Sequence, residues 1–185
     1  HAAAIVVGKV TSPTARLSNI TIQNCELIPA ETSNNSLAPS FLSYYLTGTV
    51  SNIKLQNCRY GLLADGSGTS GAPWFASVIG SKIANCSIDG FTVSGCSFRF
   101  YADAALLFNS AEGTAPITLK NIKISDTEII NTHRCSGWIR SASADSNVSM
   151  ENVTVDIKNT FRGSIDKPTI PATLKLNMEN VSMLY

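Results

Sequence analysis

Long hydrophobic runs are missing from this 185-residue chain. None approaches the roughly 18 residues that a helix needs to cross a bilayer, so no membrane span is expected. Charge is scarce as well: 15% of the residues are charged, and 14 basic against 13 acidic side chains leave a formal net charge of +1. With no basic block and no aromatic-rich RNA-binding strand, nucleic acid has no electrostatic footprint here. No stretch sustains the 3.6-residue period of a long helix. The two-residue Asn-Gly-type loops that a hairpin sheet demands between longer strands are absent too. Cysteine occurs five times, but no Cys-x-x-Cys and no His/Cys cluster has zinc spacing. No metal ligand and no cofactor is therefore expected.

What the chain does contain is one short phrase, six times over. It runs from Leu17 to Cys25, Val50 to Cys58, Gly90 to Cys96, Leu119 to Thr127, Met150 to Val155 and Met178 to Met183. With Asn19, Asn52, Gly90, Asn121, Asn152 and Asn180 taken as equivalent, the steps are 33, 38, 31, 31 and 28 residues. A repeat at such a period fixes architecture before any single residue is interpreted. Within each copy apolar residues alternate, as in Ile20 and Ile22, Ile53 and Leu55, Phe91 and Val93, Ile122 and Ile124, and Val153 and Val155. Alternation of this kind marks a strand with one buried face.

The phase of alternation then slips by one residue at Cys25, Cys58, Cys96 or Thr127, and a slip would turn the following side chains outward unless the backbone bends. The residue before each slip is Asn24, Asn57, Gly95 or Asp126, types that enter the left-handed region at least cost. The anchor asparagines mark a second bend. The expected fold is therefore all-β: a right-handed parallel β-helix, a solenoid of about six turns, whose strands of about two to five residues make three short parallel sheets. The apolar runs Phe41 to Leu46, Trp74 to Ile79, Ala104 to Phe108 and Trp138 to Ile139 fall between anchors and supply another sheet. Pro29 to Pro39, Leu62 to Pro73 and Asp166 to Pro171 read as lateral loops. The competing architecture is an antiparallel β-sandwich.

Residues 1–185 read as a single domain, with 44% apolar residues to fill an elongated core. Ala2 to Val7 lacks the basic start of a signal peptide and reads as a first strand. Strand-like residues at both ends suggest part of a longer polypeptide. Cys25, Cys58 and Cys96 hold one repeat position, so they are expected to stack as free, buried, small hydrophobes, with Thr127 continuing the row. Cys86 and Cys135 are unmatched. Six Asn-x-Ser/Thr matches occur, at Asn19, Asn34, Asn85, Asn147, Asn152 and Asn180. Those at Asn19, Asn152 and Asn180 follow from a corner asparagine preceding a buried aliphatic and an outward hydroxyl, so an asparagine ladder explains them better than glycans.

The phrase Asn-Ile-x-Ile-x-Asn-Cys at this spacing resembles the pectin-lyase-like superfamily. The segments Ile79 to Ile83, Gly90 to Phe98 and Gly137 to Arg140 resemble secreted β-helix proteins of gut Bacteroidetes that accompany polysaccharide-utilisation systems. The resemblance implies a secreted or cell-surface location and a polysaccharide partner. Fold alone does not assign a reaction. The Asn-Thr-Asp, Asp-Asp and Gly-His-Gly stretches of polygalacturonase-like members, which supply the two carboxylates of glycoside hydrolysis, do not occur. Lyase members join a Lys or Arg base to acidic calcium ligands. Here the outward row Thr21, Lys54, Thr92, Lys123, Thr154 and Ser182 has no flanking acidic cluster, and neither has its neighbour Gln23, Gln56, Ser94, Ser125 and Asp156. No catalytic residue is assigned.

Two surfaces remain as ligand-binding candidates. His133, Arg134, Trp138 and Arg140 lie in the only run that combines histidine, two arginines and tryptophan. An exposed indole can stack on a pyranose while a guanidinium pairs with a uronate or sulfate; alternatively Trp138 starts a strand and packs inward. Arg99, Tyr101 and Asp103 alternate outward and form either a glycan-binding strip or a plain solvated face. Three functions follow: a non-catalytic glycan-binding or spacing domain, which is preferred; a polysaccharide lyase or hydrolase with an incomplete site in this chain; or a tailspike- or adhesin-like stalk.

Overall fold

The computed structural model describes residues 6–27, 42–60, 77–100, 103–104, 107–131, 134–136, 139–143, 146–159, 164–166 and 175–184. The described residues form fifteen strands and no helix, so no helix among them is long and apolar enough to cross a membrane. In order the strands are β1 (Val7–Lys9), β2 (Arg16–Gln23), β3 (Glu26–Leu27), β4 (Ser43–Gln56), β5 (Arg59–Tyr60), β6 (Gly80–Ser94), β7 (Ser97–Phe100) and β8 (Asp103–Ala104). There follow β9 (Phe108–Ala111), β10 (Ile117–Asn131), β11 (Arg134–Ser136), β12 (Ile139–Ala142), β13 (Asn147–Asn159), β14 (Ser164–Asp166) and β15 (Lys175–Leu184). Every pairing among them is parallel.

Parallel pairing places each repeat beside the next at matching positions. Ile20, Ile53, Phe91, Ile122, Val153 and Val181 stand level, as do Leu17, Val50, Ile88, Leu119, Met150 and Met178. In the middle repeats both rows are buried, and so is the row of Leu55, Val93 and Ile124: Val50, Leu55, Ile88, Val93, Leu119 and Ile124 have no exposed surface. At the last repeat the same row emerges, and Met178 is 50% exposed. The outward row Thr21, Lys54, Thr92, Lys123, Thr154 and Ser182 is also level. Parts of the four apolar runs lie side by side, with Leu42 N–H donating to Ile79 O, Ile79 N–H to Leu107 O and Phe108 level with Ile139, but in the same large sheet as the repeated phrase and not in another one.

Both expected bends occur. Asn24, Asn57, Gly95 and Asp126 have φ of 54°, 51°, 63° and 48°. Asn19, Asn52, Asn121, Asn152 and Asn180 lie between 51° and 58°, and Gly90 is at 81°. The anchor amides join the repeats: Asn52 Nδ2 donates to Asn19 Oδ1 at 2.7 Å, Asn152 to Asn121 at 3.1 Å and Asn180 to Asn152 at 3.1 Å. Where Gly90 interrupts the ladder, Asp89 takes over and accepts from Asn121 at 2.7 Å.

Three expectations need correction. The strands are not all short, and three sheets do not separate: β4, β6 and β10 are 14, 15 and 15 residues long, and the described strands form one 12-stranded and one 3-stranded sheet. A left-handed residue at the same level on neighbouring strands turns the whole ladder together, so pairing runs on through the bend. Among the described residues, three of the six repeats have a further bend ahead of the anchor, at Gly48, Asn85 and Gly113, with φ of 85°, 42° and 78°. Gly48 is required there, because a Cβ would meet the carbonyl oxygen of Ala15, which accepts the amide of Thr49 at 2.9 Å. Finally, β13 lacks the bend at Asp126. Ile124 pairs with Val155 and Thr127 with Ile157, so Asp156 faces two residues and does not extend the row of Gln23, Gln56, Ser94 and Ser125. The loops expected at Pro29 to Pro39 and Leu62 to Pro73 lie outside the described residues, as does the loop after Asp166.

Candidate functional site: a tyrosine and lysine strip

Strands β1, β4, β6, β9 and β12 lie side by side in register, and their alignment gathers polar and aromatic residues from distant parts of the chain. Lys9 stands level with Tyr45, Tyr45 with Lys82, Lys82 with Ser110 and Ser110 with Ser141. The neighbouring level on the same strands holds Tyr44 and Arg140, with Ser81, which is buried, between them. The Lys9 ammonium lies 6.0 Å from the centre of the Tyr44 ring, within reach of its negative face. Lys82 Nζ donates to Glu112 Oε1 at 2.7 Å, and Ser110 Oγ donates to the same oxygen at 3.2 Å.

This triad is partly solvated, with the Lys82 and Glu112 side chains 37% and 30% exposed. The hydrogen bond to Glu112 is the main cause that raises the Lys82 pKa, and burial opposes it. Both tyrosines are half-buried and Lys9 is exposed. The strip thus offers ring surface, ammonium and hydroxyl donors, and one carboxylate acceptor already engaged by two donors. That is the equipment of a polar recognition surface: rings for an apolar face, donors for hydroxyl or acidic groups.

The residues singled out from the sequence are distributed differently from their order in the chain. His133, Trp138 and Tyr101 lie outside the described residues. Arg134 opens β11 and stands level with Asp103, which opens β8, and with Ser164 of β14 in the small sheet. Arg99, expected to share a strip with Asp103, is in β7 level with Ile130 of the large sheet. Arg140, grouped by sequence with Arg134, belongs to β12 in the large sheet, between Ile139 and Ser141, on the Tyr44 level. Lys54 and Lys123 are exposed and separated by Thr92, and no three His, Cys, Asp or Glu side chains converge on a metal position among the described residues.

Lys9, Tyr44, Tyr45, Lys82 and Glu112 were not recognised in the sequence. The available signal was their period: Lys82 and Glu112 are 30 residues apart, one repeat. Using it required the alignment of Ser43 with Gly80 and Phe108, which no repeated phrase marks. No protein-family model, no curated protein and no solved structure matches this chain.

Proposed function

We propose that the chain is a right-handed parallel β-helix of the pectin-lyase-like kind, serving as a non-catalytic carbohydrate-recognition domain of a secreted or cell-surface protein. The six-fold repeat, the all-parallel pairing and the left-handed corners support the fold. The observation that carries the function is the strip around Tyr44, Tyr45 and Lys82. Its rings sit on rigid strands, which position a binding surface better than loops do. Rungs about 4.8 Å apart let an extended polymer cross several of them and meet a donor on each. Glu112, bound by Lys82 and Ser110, orients the ammonium.

The experiment is a glycan array on the purified chain, run beside reducing-end and unsaturated-uronate assays with and without calcium. Binding without turnover is expected, weakened about tenfold or more by Tyr44→Ala or Lys82→Ala. Trp138→Ala and Arg140→Ala test whether the run identified from the sequence joins the same surface. Product that disappears in Lys54→Ala or Lys123→Ala would replace this reading with a lyase.

A further inference from the structure

The column of Cys25, Cys58, Cys96 and Thr127 lies apart from the tyrosine and lysine strip. Each of the four immediately precedes one member of the level set Glu26, Arg59, Ser97 and Glu128, so they occupy successive rungs. Each side chain makes the same bond to the carbonyl two residues earlier. Cys25 donates to Gln23 at 3.3 Å, Cys58 to Gln56 at 3.2 Å, Cys96 to Ser94 at 3.3 Å and the Thr127 hydroxyl to Ser125 at 2.8 Å. Cys58 and Cys96 also reach the preceding rung, 3.7 Å from the carbonyls of Ile22 and Leu55.

Equivalent side chains on equivalent backbones are related by the rung translation, so neighbouring sulfurs lie one strand spacing apart, about 4.7–4.9 Å. Their Cβ atoms share that separation, which exceeds the ~3.5–4.5 Å that a disulfide tolerates. The spacing is, however, about twice a d¹⁰ metal–thiolate bond of ~2.3 Å. We infer that Cys25 and Cys58 form a two-coordinate site for a soft monovalent cation of the Cu(I) class, held in line between the two sulfurs.

Several observations favour this pair and this ion. Among the described residues no three His, Cys, Asp or Glu side chains converge on one metal position, and each gap between cysteines in the column is flanked by two sulfurs only. That disfavours tetrahedral zinc, and paired thiolates select Cu(I). Cys25 is half-buried whereas Cys96 is buried, so the first gap in the column is the accessible one. Binding exchanges two thiol protons for one ion, which leaves one net negative charge on the S–Cu–S unit and no change of oxidation state. Burial, the largest influence on the Cys58 thiol, opposes that charge, as does a neighbouring Cys25 thiolate, while a backbone hydrogen bond from Cys25 favours it.

The test is anaerobic titration of the reduced full chain with Cu(I) against a chromophoric competitor, followed by X-ray absorption. One ion per chain with two sulfur neighbours is expected. Cys25→Thr and Cys58→Thr, which copy the hydroxyl already accommodated at Thr127, should lower affinity about a hundredfold or more, while Cys96→Thr and Cys86→Ser should not. Retained affinity in Cys58→Thr, equal loss in Cys96→Thr, three or four ligands, or no binding would each overturn the assignment. If Cys58→Thr fails to fold, wild-type protein still decides: one equivalent of Cu(I) should shield Cys25 from alkylation, and an unchanged rate would refute the site.

Discussion

Asn121 performs three tasks at one position: its backbone takes φ 52°, its amide donates to Asp89, and its oxygen accepts from Asn152. Alanine would lose both bonds and hold a left-handed backbone without local compensation, so Asn121→Ala should cost roughly 1–2 kcal/mol. Asn121→Gly frees the backbone and should cost less. Urea unfolding of the two variants separates the contributions, since equal losses would mean that the side-chain ladder dominates. The buried thiols supply a pH dependence. Burial pushes Cys96 up to about 11 and Cys86 up to about 12, from an ordinary 9.0. Below pH 9 both thiols are protonated in the folded and unfolded chains, and their contribution is whole. Above it the unfolded chain loses protons that the folded chain keeps, so stability falls as pH rises through about 11 to 12. The slope approaches about 1.4 kcal/mol per pH unit for each thiol. In Cys96→Thr the decline between pH 9 and 11 should be visibly shallower in denaturant titrations.

The strands that carry the repeated phrase were legible because their side chains are chosen by a two-residue alternation, and their bends because only Asn, Asp and Gly enter the left-handed region cheaply. The remaining bend was not legible. Gly48, Asn85 and Gly113 are of mixed type, and the number of residues around them differs from one repeat to the next: one residue separates Leu46 from Gly48, where two separate Ile83 from Cys86. Alternation cannot be followed across a gap that changes length. At this bend Gly48→Ala should destabilise the chain by roughly 1–3 kcal/mol, from the positive φ and the collision with the Ala15 carbonyl. Gly113, also at positive φ, has nothing within 4 Å of an added Cβ, so Gly113→Ala should cost less. A thermal melt ranking the two tests whether close approach or backbone strain decides.

Across the whole molecule, the candidate surface depends on which strands become neighbours, and this explains why so little of it was visible in the chain. Arg134 and Arg140 are close in sequence yet belong to different sheets, whereas Lys9, Tyr45 and Lys82 come from separate repeats. Register along the phrase predicts one face, while register along the intervening strands depends on segments of unequal length. The same level-by-level pairing lets the molecule change size in whole units. Excising residues 91–121 would join Gly90 to Ile122, two positions whose neighbours already face the same kinds of partner: Ile53 would meet Ile122 in place of Phe91. The shortened chain should give the same strand-type circular dichroism and a cooperative urea transition whose slope falls with the surface lost. Removal of half that length should abolish cooperativity by setting inward residues against outward ones. A period behaves in this respect as a removable cassette, so gain or loss of one copy lengthens or shortens the protein without requiring a new interface.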